Sequence, residues 1–416
     1  MGQTFASFRN YNFRLFWSGQ LISLLGTWMQ MIGQAWLVLD LTHSPVSLGF
    51  VSVLQSLPIL AMVLFAGVIV DRLPKHKMLL ATQALLLTQS AVLAGLTATG
   101  LVQVWHIYVL AVILGLVTAF DNPTRQAFVV ELVGREHTVN AMGLASAQFN
   151  SAKLLGPAVG GLVIARWGVA ACFWLNAVSF LAVLLSLLLL RRHELVPAHN
   201  PDRGSSVLAG VIEGARFMLG KPELAVVIIL LAGLGAFVYS TSWIITLVAQ
   251  EALHVGPTEY GLMVSAVGLG SLAAAMGLAM RGRSSVRSLL ASATGFGVLY
   301  LGLAFVPTFA VAMVVLGLLG WALQWFGTSA TSLLQLGSPD RFRGRAMSVF
   351  SLLTGGLQPL GSLFMGFMAA SVGIRATVGA EAAICLLTVA VALVYCARVV
   401  APSAARRPAE AAGIAP

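Results

Sequence analysis

Charge is what this sequence has least of. Only 9% of its 416 residues are Asp, Glu, Lys or Arg, against 58% hydrophobic. A soluble domain carries about 25% charged residues, so a water-facing globular surface cannot be built from this composition. Disorder is excluded too, because disordered chains are poor in apolar side chains. Cysteine is nearly as scarce. Cys172, Cys385 and Cys396 lie in apolar stretches with neither metal spacing nor an evident pairing, which excludes a disulfide scaffold and leaves them as small packing residues. The seven His residues form no metal spacing and no Ser-His-Asp grouping is evident. No phosphate-binding loop of P-loop type occurs, so ATP is not the direct energy source within this chain. No metal, cofactor or enzymatic activity is expected. Acids number 14 against 24 basic residues, a net charge of +10. The basic residues are spaced between apolar runs and form no continuous face, so no nucleic-acid partner is expected.

What the sequence has is apolar length. At roughly 20 residues per bilayer crossing, its hydrophobic content supplies on the order of twelve spans. The runs fall near 13–38, 46–70, 78–99, 104–127, 139–165 and 169–190, then 222–249, 257–280, 287–306, 309–335, 344–370 and 376–397. The fold class expected is an all-α integral membrane protein with twelve transmembrane helices in two six-helix pseudo-symmetric halves. The halves are 1–190 and 222–400, joined by a cytoplasmic linker at 191–221 and followed by an Ala/Pro-rich disordered tail at 401–416. The linker reads as solvated chain, or its part from Val207 to Leu219 as a short interfacial helix. No cleavable signal peptide is expected, because the first apolar run is followed by polar residues and another full-length run, and the first helix is expected to serve as its own insertion signal. All of the 24 Lys and Arg except Arg166, Arg375 and Lys153 collect on one side, which the positive-inside rule makes cytoplasmic together with both termini.

The halves repeat each other. GVIVDRLPKHKMLLA from Gly67 aligns with GLAMRGRSSVRSLLA from Gly277, and Ala141-Met142, Gly156, Gly161 and Gly168 align with Ala346-Met347, Gly361, Gly366 and Gly373. Parallel repeats of six helices imply a substrate cavity between halves and a rocking transporter.

The stretch GVIVDRLPKHK, Gly67 to Lys77, resembles the signature loop of the major facilitator superfamily. The resemblance of fold and repeat covers nearly the whole chain. More narrowly, FDNPTRQAFVVELVG (Phe120 to Gly134), NAMGLASAQFNSAKLLGPAVGG (Asn140 to Gly161) and FWLNAVSFL (Phe173 to Leu181) resemble the branch of enterobactin-type siderophore exporters and macrolide efflux proteins. Gly67 allows two helices to approach, Asp71 ends a helix where a carboxylate can face another helix's positive N-terminus, and Arg72, Lys75 and Lys77 hold the loop cytoplasmic. The resemblance implies a gate in which Asp71 meets the start of the eleventh helix near Arg343 to Arg345 and a basic residue meets Asp121. Asp121 and Arg125, four apart, form either part of that gate or a local ion pair. Lys153, the deepest cation, is either a snorkelling structural residue or a coupling residue that touches an anionic substrate or pairs with Asp121. Gly143, Ala152, Gly156, Pro157, Gly160 and Gly161 resemble the antiporter motif of drug exporters, with Ala152 replacing one glycine; close packing alone is the other reading.

The resemblance further implies a cavity lined by the first, fourth, seventh and tenth helices. Gln30 and Gln34 on the first, Tyr239 and Trp243 on the seventh, and Gln324 and Thr328 on the tenth are its candidates, since amides orient and aromatics supply area for an amphipathic ligand. Helix-to-helix hydrogen bonding is the alternative for each residue. Asn176 is expected to be structural, and Glu381 to lie on a supporting helix. The function expected is export of an amphipathic small molecule, a siderophore, macrolide or other drug, in exchange for protons by alternating access. The expected partners are that substrate, protons and the lipid bilayer, the state a monomer, and the site the bacterial cytoplasmic membrane. A proton-coupled nutrient importer and a non-transporting membrane sensor are the alternatives.

Overall fold

The computed structural model describes residues 5–196, 207–281 and 285–400. The side chains of Asp71 and Tyr239, the surroundings of Gly67 and the tail at 401–416 lie outside what is described. Among the described residues the chain is helical throughout, without strands. The longer helices are α1 (Tyr11–Thr42), α2 (Pro45–Arg72), α3 (Lys75–Ala98), α4 (Val104–Trp167), α5 (Val169–Leu188), α6 (Val207–Leu219), α7 (Pro222–Leu247), α8 (Pro257–Arg281), α9 (Val286–Ala304), α10 (Phe309–Gly337), α11 (Asp340–Ser351), α12 (Gln358–Val372) and α13 (Ile374–Tyr395). In a bilayer every backbone N–H and C=O must be satisfied within its own segment, which is why an apolar chain of this kind resolves into helices alone.

These thirteen helices carry the twelve expected spans. The fourth and fifth spans are both in α4, whose path breaks at Gly134 (φ 72°, ψ 172°), a conformation only glycine adopts without strain. The eleventh span is divided into α11 and α12 by a π-helical turn, Leu352–Gly356. The remaining helix, α6, lies in the segment expected to be the linker, where Val207–Leu219 is helical. Among the described residues eleven stretches are long and apolar enough to cross a membrane. The one expected span not among them is the second part of α4, where Gln148, Asn150 and Lys153 interrupt the apolar run.

The chain groups into two compact units, Met1–Arg203 with Ile245–Gly268, and Gly204–Ile244 with Leu269–Pro416. In the first, α1 packs along α5 and α4 while α3 packs along α5 and α4. Phe13, Phe16, Leu79, Phe128, Leu132 and Leu187 form a buried cluster there, with Phe16 edge-on to Phe128. In the second unit α9 packs against both α10 and α13, and α6 lies on α11.

Candidate functional site

The candidate residues of the first unit converge on Asp121. It is 1% exposed, on α4, facing α3. Thr82 Oγ1 donates to its Oδ1 at 2.7 Å, and Gln83 Nε2 donates to the same oxygen at 2.8 Å. Its Oδ2 is paired with Arg125, one helical turn further on. A carboxylate buried among apolar helices is tolerated only when its lone pairs are filled in this way. The basic partner of Asp121 is therefore local, and α3 contributes two donors that hold the carboxylate in place. Arg125 Nε has no hydrogen-bond partner among the described residues. In the signature loop Lys75 interacts with Glu131 of α4, whereas Arg72 and Lys77 are exposed.

The glycine-rich run on the second part of α4 divides into three. Gly143 has open space around it, and Ala152 is fully buried. Gly156 and Gly160 face α1: a Cβ on Gly156 would lie 2.5 Å from Trp28 Cβ, and one on Gly160 2.8 Å from Ile32 Cδ1. Gly161 faces the beginning of α8, where a Cβ would meet the Pro257 carbonyl at 2.5 Å; a Cβ on Gly261 would in turn meet the Pro157 carbonyl at 2.5 Å. The two backbones touch directly, a separation that small residues alone permit.

Lys153 is half-buried and makes neither an ion pair nor a hydrogen bond among the described residues. Its neighbour Asn150 is satisfied locally, donating to the Ser146 carbonyl at 2.9 Å. The cavity candidates have separate fates. Gln30 is engaged inside the first unit, donating to Gln89 Oε1 (3.1 Å) and accepting from Ser90 Oγ (2.6 Å) and Asn176 Nδ2 (2.8 Å). Gln34 is 4% exposed, yet no hydrogen bond of its amide occurs among the described residues. Gln324 donates to Thr328 Oγ1 at 3.1 Å on a half-buried face of α10, and Trp243 is buried on α7. Asn176 has the structural role expected of it, within the Gln30 network.

Several residues that matter were not singled out in the sequence. Thr82, Gln83, Gln89 and Ser90 all enter these networks from α3, and their seven-residue spacing puts both pairs on one face of an otherwise apolar helix. That spacing was the available signal. In the second unit Glu381 of α13 is fully buried; Tyr300 Oη donates to its Oε2 at 2.9 Å, and its Oε1 has no partner among the described residues. Arg345, expected near Asp71, is paired with Glu213 of α6 at 2.5 Å.

The multi-helical architecture with polar networks inside apolar bundles is that of a multi-pass membrane protein. Solved transporters share the fold: a nucleoside transporter NupG mutant superposes with a TM-score of 0.71 at 13% identity over 92% of this chain and 98% of its own. A bacterial homologue of the iron transporter ferroportin does so with a TM-score of 0.65 at 17% identity, over 93% of this chain and 99% of its own. The family described as transmembrane secretion effector matches residues 2–411, and the chain belongs to that family, within the major facilitator superfamily. Among its relatives, the multidrug efflux pump Tap of Mycolicibacterium fortuitum is 29% identical over 85% of this chain and 88% of its own length. The staphyloferrin A transporter of Staphylococcus aureus is 27% identical over 88% and 91%. The macrolide efflux protein A of Streptococcus pyogenes is 20% identical over 87% and 90%.

Proposed function

We propose that the chain is a secondary transporter of a bacterial cytoplasmic membrane, with both termini cytoplasmic, that exports an amphipathic small molecule in exchange for protons by alternating access. The observation that carries this reading is the contact of Gly161 and Pro157 with Gly261 and Pro257, where the run resembling the antiporter motif of drug exporters meets the eighth span backbone to backbone. Relatives named for multidrug and macrolide efflux favour export, and one named for staphyloferrin A favours a siderophore or a drug as cargo. Gln34, an amide buried without a hydrogen-bond partner among the described residues, is the strongest candidate to orient that cargo, and Gln324 with Thr328 can reorganise their mutual bond to do the same. Asp121 with Arg125 serves the gate end of this cycle and Lys153 its coupling; the fixed site that alternating access requires is built from amides and aromatics.

The experiment is efflux of a panel of siderophores, macrolides and cationic dyes from cells producing the chain, against cells producing Gln34→Leu. Retention of at least one panel member should fall in the former and recover in the latter. Equal retention of every compound in producing and non-producing cells contradicts the proposal.

A further inference from the structure

The second unit holds a trough of about 490 Å³ between α9 and α10, within the roughly 300–1,000 Å³ of small-molecule sites. One helix presents Arg287, Ser288, Ser292, Gly295 and Leu299, successive positions of a single face; the other presents Leu318, Trp321, Ala322 and Trp325. From Arg287 to Leu299 the trough runs about 18 Å at 1.5 Å per residue. Small side chains of α9 face large ones of α10, with the exposed Trp321 and the buried Trp325 rings 4.7 Å apart.

The two ends differ in chemistry. At the beginning of α9, Ser285 Oγ accepts from the Ser288 backbone N–H at 3.2 Å, and Trp325 Nε1 donates to Ser288 Oγ at 2.6 Å. Ser288 Oγ accepts from that indole and keeps its own hydroxyl proton to donate. Arg287 is exposed beside it. Across α9 and α10 Arg287 is the only charged residue, so the charge the helix pair itself carries is positive and lies at this end. The other end is apolar, and the surface that continues from it is as well: Val298, Val314 and Leu318 are exposed. Exposed apolar residues on spans of this length face hydrocarbon, so the trough opens to lipid.

We propose that this trough binds one anionic diacyl phospholipid of the surrounding bilayer, its phosphate held by Arg287 with the Ser285 and Ser288 hydroxyls and one acyl chain lying over Gly295 and Ala322 beside Trp321. A cationic head end, an indole pair at the depth where headgroup gives way to chain, and an apolar trough are the three parts such a lipid requires.

The test uses the full chain in phosphatidylcholine nanodiscs doped with phosphatidylglycerol or phosphatidylcholine carrying brominated acyl chains, read as quenching of tryptophan fluorescence. Brominated phosphatidylglycerol should quench at the lower mole fraction. Arg287→Gln should reduce that preference roughly five-fold, the effect of one cation near a headgroup at about 1 kcal/mol. Gly295→Leu, which fills the trough, should remove it, whereas Arg398→Gln, an exposed cation on another helix, should leave it unchanged. Equal quenching by the two lipids, or a preference that survives Arg287→Gln, overturns the proposal. Complete displacement of the lipid by inorganic phosphate also overturns it, because the acyl chain would then contribute nothing.

Discussion

Asp121 and Lys153 differ in what surrounds them, although both are ionisable groups on the same helix. Asp121 has donors on both oxygens, and removing one partner of such a buried pair exposes the other to an uncompensated charge. Asp121→Asn and Arg125→Gln should each destabilise the protein, and the double variant should be less destabilised than the sum, with a coupling of about 1–3 kcal/mol. Thermal unfolding in detergent measures this, and strict additivity would return the pair to a surface contact. Lys153 is the opposite case. An unpaired cation within a span costs roughly 2.5–3.5 kcal/mol on insertion scales. Lys153→Met should therefore raise thermal stability while slowing transport; gain in stability with unaltered transport would make the lysine structural. The i, i+4 spacing made the Asp121–Arg125 pair legible in the sequence. The part played by Thr82 and Gln83 was not, because it depends on how α3 is rotated against α4. The same holds for Gln30 and Gln34, four apart on one face: spacing alone cannot tell that the first is spent on Gln89, Ser90 and Asn176 while the second finds no partner among the described residues.

The second part of α4 is the element on which the transport reading leans most heavily. Its glycines are unequal. Gly161→Leu forces a side chain into the Pro257 backbone and should cost about 1–3 kcal/mol or more as overpacking, with loss of transport. Gly143→Leu, in open space, should stay within about 0.5 kcal/mol of the parent. Unfolding and transport assays on the two variants separate them; similar losses would contradict the packing described. The linker helix α6 offers a second element-level expectation. Lys221, Phe217, Phe342 and Arg345 form a stack of cation, ring, ring and cation, with the rings 4.3 Å apart and 5° from parallel, and Gly214 lets the two helices meet. Phe217→Ala should remove about 0.5–1.5 kcal/mol of this contact and speed hydrogen exchange across Val207–Leu219. Unchanged exchange would mean the stack does not hold α6. The twelve spans were legible because bilayer thickness imposes one length on every apolar run. The docking of α6 was not, since its alternation of apolar residues with Glu213 and Arg216 suits a lipid surface as well as a protein one.

At the scale of the whole molecule, the exchange proposed above draws its energy from an ion gradient across the twelve-span fold of the family. Antiport and symport predict opposite signs for one observable. In proteoliposomes holding a pH-sensitive dye, with no gradient imposed, cargo added outside should drive protons out of the lumen if the two are exchanged, whichever way the transporter is inserted. Luminal pH should rise on addition of an exported compound, and Lys153→Met should blunt the rise. A fall in luminal pH would make the protein a symporter, and cargo uptake with no pH change would remove protons from its mechanism.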